Sequence, residues 1–234
     1  MGQCVRLDLP VLLAYLGSAA LGCRSTPGPV VPDAAQPVSQ AEVAPWVSAT
    51  VPMARQVYRF KWLLRDERGS AGGRGGVRVA PPDSMRLDVA GPFGSGVASA
   101  VVIGDRAVWT EPADAIARLV PNYPLMWAMF GVARMPSEGA SVRALTASAT
   151  RAWQYAEAAD TVEYARTTGS PGRFVAEVRQ AGKLIGRAET TLSPEGAPLK
   201  SRLTVPSAPA QLDITFLSIT RDTFAADIWA PRKP

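Results

Sequence analysis

From residue 57 onward the apolar residues of this chain recur with a period of two, and the alternation is renewed in run after run between turn-forming residues. In VYRFKWLLRDE, residues 57 to 67, Tyr58, Phe60, Trp62 and Leu64 share one face of an extended chain, while Arg59, Lys61 and Arg65 lie largely on the other. In SMRLDVAGP the residues Met85, Leu87 and Val89 alternate in the same way against Arg86 and Asp88. The segment VASAVVIGDRAVWTEP sets Gly104-Asp105 between two β-rich runs, a two-residue hairpin signal. GSAGGRGG reads as a glycine-rich turn leading into VRVAPP. Further runs are TRAWQYAE, TVEYARTT, GRFVAEVRQ, KLIGRAETTLS, PLKSRLTV and QLDITFLSIT, punctuated by GSPG, QAGK and SPEGAP. Between the two sets the period changes. In residues 112 to 136 the apolar positions Ala115, Ile116, Leu119, Leu125, Met126, Met129 and Phe130 fall at spacings of three and four, with prolines bounding the pieces. The expected fold is mainly β: an antiparallel sheet of roughly ten or eleven short strands, with two short helices inserted between its halves.

The amino terminus follows a different logic. VLLAYLGSAALG is an apolar or small-residue run, shorter than the roughly 20 residues of a membrane-spanning helix and matching a signal-peptide core. It ends at Cys23, after Ala20-Leu21-Gly22, and regular structure then gives way to Pro27 and Pro29. The pattern resembles the bacterial lipobox, which implies a signal peptide over residues 1–22 and lipid attachment at Cys23, the first residue of the mature chain. Ala20 stands where leucine is usual. An ordinary secretory signal is the next reading and a retained anchor helix the last. Two or more acyl chains at Cys23 would hold the protein stably on a membrane. By the sorting rules of Gram-negative envelopes, Arg24 in place of aspartate implies the outer membrane, periplasmic face. Residues 23–50, rich in Pro, Ala, Val, Gln and Ser, read as a lipid-anchored flexible tether, and residues 51–234 as one domain. Cys4 falls in the segment to be removed, so no cysteine pair remains for a structural disulfide.

The chain has no histidine, which excludes Ser-His-Asp and Cys-His catalysis and the commonest general base and metal ligand. With one mature cysteine, zinc and iron-sulfur centres are not expected either, so neither a metal nor a cofactor is called for. Carboxylate chemistry survives in principle through Asp83, Asp88, Asp105, Glu111, Asp114, Asp160 and Glu163, yet most of these fall in turns or on polar strand faces. GSAGGRGG lacks the Lys-Ser/Thr ending of a phosphate loop. The net charge of +5 is spread singly along strand faces. That distribution disfavours nucleic acid and suits an anionic membrane surface, an acidic partner or plain solvation. The expectation is a chain that is not an enzyme.

The surplus is in bulky apolar side chains. Tyr58, Phe60, Trp62 and Leu64, then Met85, Leu87 and Val89, then Trp109, and finally Met126, Trp127, Met129 and Phe130 exceed what a small sheet edge requires. They suit either an ordinary core or a cavity for acyl chains on a curved sheet closed by helices.

Taken in order, the lipobox, the tether, the aromatic first strand, MRLDVAGPFGSGVASAVVIGDRAVWTEP and the proline-bounded PLMWAMFGVARMP resemble the LolB-like outer-membrane receptors of the LolA/LolB lipoprotein-localisation superfamily. Two short motifs carry the likeness: the loop Gly91-Pro92-Phe93-Gly94 and a Trp-x-x-x-Gly helix end at Trp127 to Gly131. The resemblance implies an incomplete antiparallel β-barrel with short helices covering its concave face, a cavity that takes lipid or lipoprotein acyl chains, and a periplasmic carrier protein as partner. It also implies that Phe93 is an exposed membrane-facing loop residue. The ending FAADIWAPRKP departs from the shorter receptors. The rival readings are a structural or scaffolding envelope lipoprotein without a ligand cavity and a carboxylate-dependent enzyme acting on envelope glycans or lipids.

Overall fold

The computed structural model describes residues 30–91, 97–113 and 122–230. Within these, one antiparallel sheet of 13 strands organises the molecule. The chain enters through β1 (Gln36–Pro37) and helix α1 (Gln40–Ser48), then runs as a meander through β2 (Gln56–Asp66), β3 (Gly69–Ala80), β4 (Ser84–Ala90), β5 (Val97–Ile103) and β6 (Arg106–Glu111). Helix α2 (Tyr123–Ala128) follows. A second meander comprises β7 (Ser141–Ala147), β8 (Thr150–Glu157), β9 (Asp160–Thr167), β10 (Gly172–Gln180), β11 (Lys183–Leu192), β12 (Pro198–Val205) and β13 (Ala210–Arg221). A short 3-10 turn over Ala226–Trp229 ends the described chain. The two meanders are joined by β13 pairing with β2, and the order across the sheet runs β1-β7-β8-β9-β10-β11-β12-β13-β2-β3-β4-β5-β6. Its edge strands, β1 and β6, do not pair with each other, so the barrel stays incomplete, and the helices cover its concave face.

Two strands went unread in the sequence, β1 and β7. SVRALTA does alternate, with Val142 and Ala144 buried, but its small residues carry a weak signal. A larger difference concerns GSAGGRGG, expected as a turn: its eight residues form the first two thirds of the 12-residue β3, and the turn is Glu67-Arg68. The reason lies on the neighbouring strand. A Cβ at Gly75 would stand 2.5 Å from the ring of Phe60, so the glycine lets that ring lie flat on the backbone. The hairpin at Gly104-Asp105 forms as expected, with Gly104 at φ +60°, in the left-handed region glycine tolerates.

The flexible tether expected over residues 23–50 does not describe residues 30 to 48, and residues 23–29 lie outside the described residues. Residues 30 to 48 belong to the folded domain. Glu163, itself buried, accepts the backbone N–H groups of Val30 at 2.9 Å and Val31 at 3.4 Å, and Arg143 donates to the carbonyls of Asp33 at 2.9 Å and Ala35 at 2.7 Å. α1 then inserts Val43 and Val47 into the core and sets Trp46 edge-on against Trp153, ring centroids 5.9 Å apart. A Pro/Ala/Val-rich composition is compatible with disorder, but three-residue spacing of apolar side chains overrides it when a sheet offers a surface to bury them on. Among the described residues no helix is long and apolar enough to cross a membrane.

Of the two helices expected between the sheet halves, α2 is present; the piece carrying Ala115, Ile116 and Leu119 lies outside the described residues. Gly131, at φ +78°, ends the helical segment: the chain reverses so that the Val132 N–H reaches the Trp127 carbonyl at 3.1 Å. The carbonyl of Ala128 accepts the Gly131 N–H at 2.9 Å and the buried Thr190 hydroxyl at 2.7 Å, and Thr190 lies 2.9 Å from Ser201. Sheet side chains thus finish the helix, and α2 is held across β10 and β11.

Candidate functional site

The concave face divides into a closed part and an open part. In the closed part Tyr58, Phe60, Met85, Met126, Trp127, Met129 and Phe130 are buried together. Tyr58, Phe60 and Phe130 meet Phe216 of β13 at centroid distances of 5.8 to 6.2 Å, all edge-on. The Trp127 indole donates to the Gly104 carbonyl at 3.0 Å, and the Arg134 guanidinium lies 5.2 Å over its ring. Burial pushes the Tyr58 phenol above its usual range, so it stays a neutral donor to Gln56 Oε1 at 2.6 Å. On the far side Trp153 and Tyr164, direct partners in the β8–β9 pair, stack at 5.3 Å, and Tyr164 stacks at 5.6 Å on Phe174, which lies diagonally across from it on β10. Every one of these side chains is an ordinary core residue by its surroundings.

The open part runs from Leu87, in the register row of Tyr58, through Val89, in that of Phe60, to Leu64 at the Arg65 end of β2. Here Trp62, Leu87 and Val89 are half-buried and pack on the core, as does Leu212, which faces half-buried Leu64 across the β13–β2 pair. Trp62 is fixed by an indole hydrogen bond to the Ala90 carbonyl at 3.2 Å. That geometry requires Gly73 beneath it, since a Cβ there would stand 1.9 Å from the same oxygen. An apolar strip of Trp62, Leu64, Leu87, Val89 and Leu212 is therefore presented on a rigid sheet and continues into the core.

Phe216 and the Trp153-Tyr164-Phe174 stack were not singled out in the sequence. Phe216 was visible in the alternation Leu212, Ile214, Phe216, but a bulge between Phe216 and Ser218 breaks the period and brings Ile219 rather than Ser218 opposite Tyr58. Trp109 must be removed from the expected cavity lining. It shares a register row with Val101 and Arg86, on the side of the sheet opposite Met85 and Val102. There the Arg86 guanidinium lies 5.2 Å over its ring, and its indole donates to the Trp229 carbonyl at 2.9 Å. The departing C-terminal segment FAADIWA explains the burial: it covers the outer face of β4 to β6, and Arg86 donates to the Ile228 and Ala230 carbonyls beneath it. Period two says which residues share a face, and a covered outer face defeats the rule that the apolar one looks inward. Cys23 and Phe93 lie outside the described residues.

Three of the carboxylates weighed as catalytic groups are held by other parts of the fold. Asp88 accepts from Arg78 at 3.0 Å, Arg86 at 3.1 Å and Ser99 at 2.8 Å; Asp105 pairs with Arg134 at 3.3 Å; Glu163 binds the N-terminal segment and Gln154. Asp114 lies outside the described residues. Among the described residues no group of three or more metal-ligating Cys, Asp or Glu side chains converges.

The convex face of β10 to β13 carries ion-pair networks. Glu189 bonds Arg173 and Arg187 at 2.6 Å each, and Asp213 bonds Arg65 at 2.6 Å and Arg202 at 2.7 Å. Burial alone would raise both carboxyl groups, but the arginine hydrogen bonds outweigh it and hold Glu189 below its ordinary 4.5 and Asp213 below 3.8. A depressed folded pKa contributes stability that is complete above the unfolded value and lost as pH falls through the folded one. The melting temperature is accordingly expected to decline as pH falls below about 4.5, and the E189Q/D213N variant to decline less over that range, as thermal denaturation followed by circular dichroism will test.

No family model matches the chain, and no curated protein sequence matches it. Among solved structures it is similar to a LolA superfamily protein from Nitrosomonas europaea, with a TM-score of 0.39 and 7% identity over 83% of this chain and 98% of that one. It is also similar to an outer membrane lipoprotein-sorting protein domain from Vibrio parahaemolyticus, with a TM-score of 0.34 and 10% identity over 80% and 94% of the two chains. A third is a DUF1329 family protein from Desulfovibrio piger, with a TM-score of 0.35 and 6% identity over 81% and 95%. The first carries the name of the superfamily that the sequence resembles.

Proposed function

We propose that this protein is a lipoprotein anchored through Cys23 to the periplasmic face of the outer membrane, where it binds lipid or lipoprotein acyl chains and passes them to the bilayer without catalysis. The observation that carries this reading is the half-buried strip of Trp62, Leu64, Leu87, Val89 and Leu212 in the open part of the concave face. A strip of this kind lowers the cost of an acyl chain in water by about 0.8 kcal/mol for each methylene it covers. Delivery then needs only that the membrane be the better solvent, which it is for a chain whose every methylene is buried. A periplasmic carrier protein would supply the cargo, and the anchor would keep the acceptor surface near the strip.

The experiment is fluorescence titration of the mature chain with a long-chain fatty-acid probe, together with native mass spectrometry and organic extraction of co-purified material. Saturable binding is expected, and Leu87→Glu, at a half-buried position, is expected to weaken it about tenfold while the protein stays folded. Absence of both probe binding and extracted lipid in a well-folded chain overturns the reading. The close packing of Tyr58, Phe60, Trp127 and Phe130 favours a second reading in that event, a scaffolding lipoprotein whose apolar strip is covered by a protein partner.

A further inference from the structure

Where β7 turns into β8 and α1 ends, away from β2 and β4, a pocket of about 250 Å³ is lined by Trp46, Thr146, Thr150, Arg151, Trp153 and Arg166, among others. Its electrostatics are one-sided. Arg151 and Arg166 are direct cross-strand partners in the β8–β9 pair, an arrangement of like charges that costs stability unless something lies between them. Among the described residues neither is in an ion pair with a carboxylate, and no Asp or Glu lines the pocket. The Arg166 guanidinium spends one N–H on the Ala49 carbonyl at the end of α1, 3.2 Å away, and Arg151 lies 5.7 Å over the Trp46 ring. Burial and the charge of Arg151 together lower the pKa of Arg166, a further sign that the pair lacks a counter-charge.

A second, independent observation comes from Trp153. Its side chain is fully buried and lines this pocket, yet its indole N–H has no acceptor among the described residues. Buried donors are nearly always paired, and an unpaired one in a polar pocket marks the place of an acceptor from outside the chain. The hydroxyls of Thr146, Ser148 and Thr150 stand at the same pocket.

We propose that this pocket is a binding site for a phosphate-type oxyanion, held by the Arg151 and Arg166 guanidiniums, with the Trp153 N–H as an additional donor. Paired guanidiniums present planar forks that suit phosphate oxygens, and two positive charges accommodate both the single charge of a phosphodiester and the near-dianion of inorganic phosphate or a monoester at neutral pH. The volume exceeds what a bare phosphate fills and leaves room for a substituent, so the phosphate of a lipid headgroup and a soluble phosphate share the chemistry. The site is separate from the apolar strip and does not rest on the acyl-chain reading.

The test is thermal denaturation and isothermal titration of the full mature chain with inorganic phosphate, and separately with dihexanoyl phosphatidylglycerol below its micelle concentration, each against sodium chloride of equal ionic strength. The melting temperature is expected to rise with phosphate and not with chloride. Arg151→Gln is expected to bind about tenfold more weakly and, in phosphate-free buffer, to melt no lower than the parent because a like-charge contact is gone. Trp153→Phe keeps the ring stack and removes only the donor, so it should weaken binding several-fold with stability retained. A response to the phospholipid alone identifies the ligand as a headgroup; a response to both identifies a general phosphate site. Equal shifts in phosphate and chloride, or binding unchanged in both variants, overturns the proposal.

Discussion

Gly73→Ala is expected to destabilise the domain by about 3 kcal/mol, although it adds a single methyl group to a strand. The Cβ would stand 1.9 Å from the Ala90 carbonyl oxygen and 3.0 Å from the Ala90 carbonyl carbon and the Gly91 Cα. All three are backbone atoms and cannot rotate away, so β4 must separate from β3 at its end, and the Trp62 indole loses its acceptor there. In a domain of this size the loss corresponds to a fall in melting temperature of roughly 6 to 12 °C. Gly76→Ala is the matched control, because the nearest atom to its Cβ is the Tyr58 carbonyl oxygen at 3.7 Å, an ordinary contact. That variant should melt within about 2 °C of the parent. Equal behaviour of the two would mean that the glycines of β3 serve no steric purpose. Acyl-probe titration of Gly73→Ala also reports on the strip, since Trp62 is positioned by the contact the variant breaks.

Trp127→Ala is the second large effect, expected to cost about 3 to 5 kcal/mol. The side chain is among the largest fully buried ones in the molecule, at 1% exposure, and it joins α2 to the β5–β6 hairpin through the Gly104 carbonyl. Truncation leaves a cavity under α2, takes away the surface on which Arg134 lies and leaves that carbonyl without its indole donor. Trp127→Phe should fill most of the space and cost less, near the 1 to 2 kcal/mol of one buried hydrogen bond and a little volume. Chemical denaturation of the three chains separates these outcomes. A cost under about 1 kcal/mol for Trp127→Ala would indicate a side chain facing an open cavity rather than a packed core, and would shift the acyl-binding surface from the Trp62 strip to α2.

Much of the strand pattern was legible because burial on one side of a sheet writes itself as alternation. Tyr58-Phe60-Trp62, Met85-Leu87-Val89 and Gly104-Asp105 were read in their correct elements for that reason. The helix end at Trp127 to Gly131 was legible because few residues other than glycine adopt positive φ there. Three features were not. Residues 30 to 48 carry a tether's composition, and only the presence of Glu163, Arg143 and the Trp153 ring on distant strands gives them something to bind. The glycines of β3 looked like a turn because the groups that need their space, the Phe60 ring and the Ala90 carbonyl, belong to β2 and β4. Trp109 looked inward because nothing local announces that the C-terminal segment covers the outer face.

Local chemistry, then, set the elements and the chemistry that is closed to the chain: strands by period, hairpins by glycine, and no histidine-based catalysis. Partnership was left to the assembled sheet. β13 meets β2 across roughly 150 residues of chain, a pairing selected by the total surface buried, which no window of sequence contains. The same long-range assembly brings Leu212 beside Leu64, and it lays Trp46 and the Ala49 carbonyl against the Arg151–Arg166 pair of the β8–β9 hairpin. Both candidate sites are made by such juxtapositions, because a binding surface is a sum over neighbours in space while alternation records only neighbours along the chain.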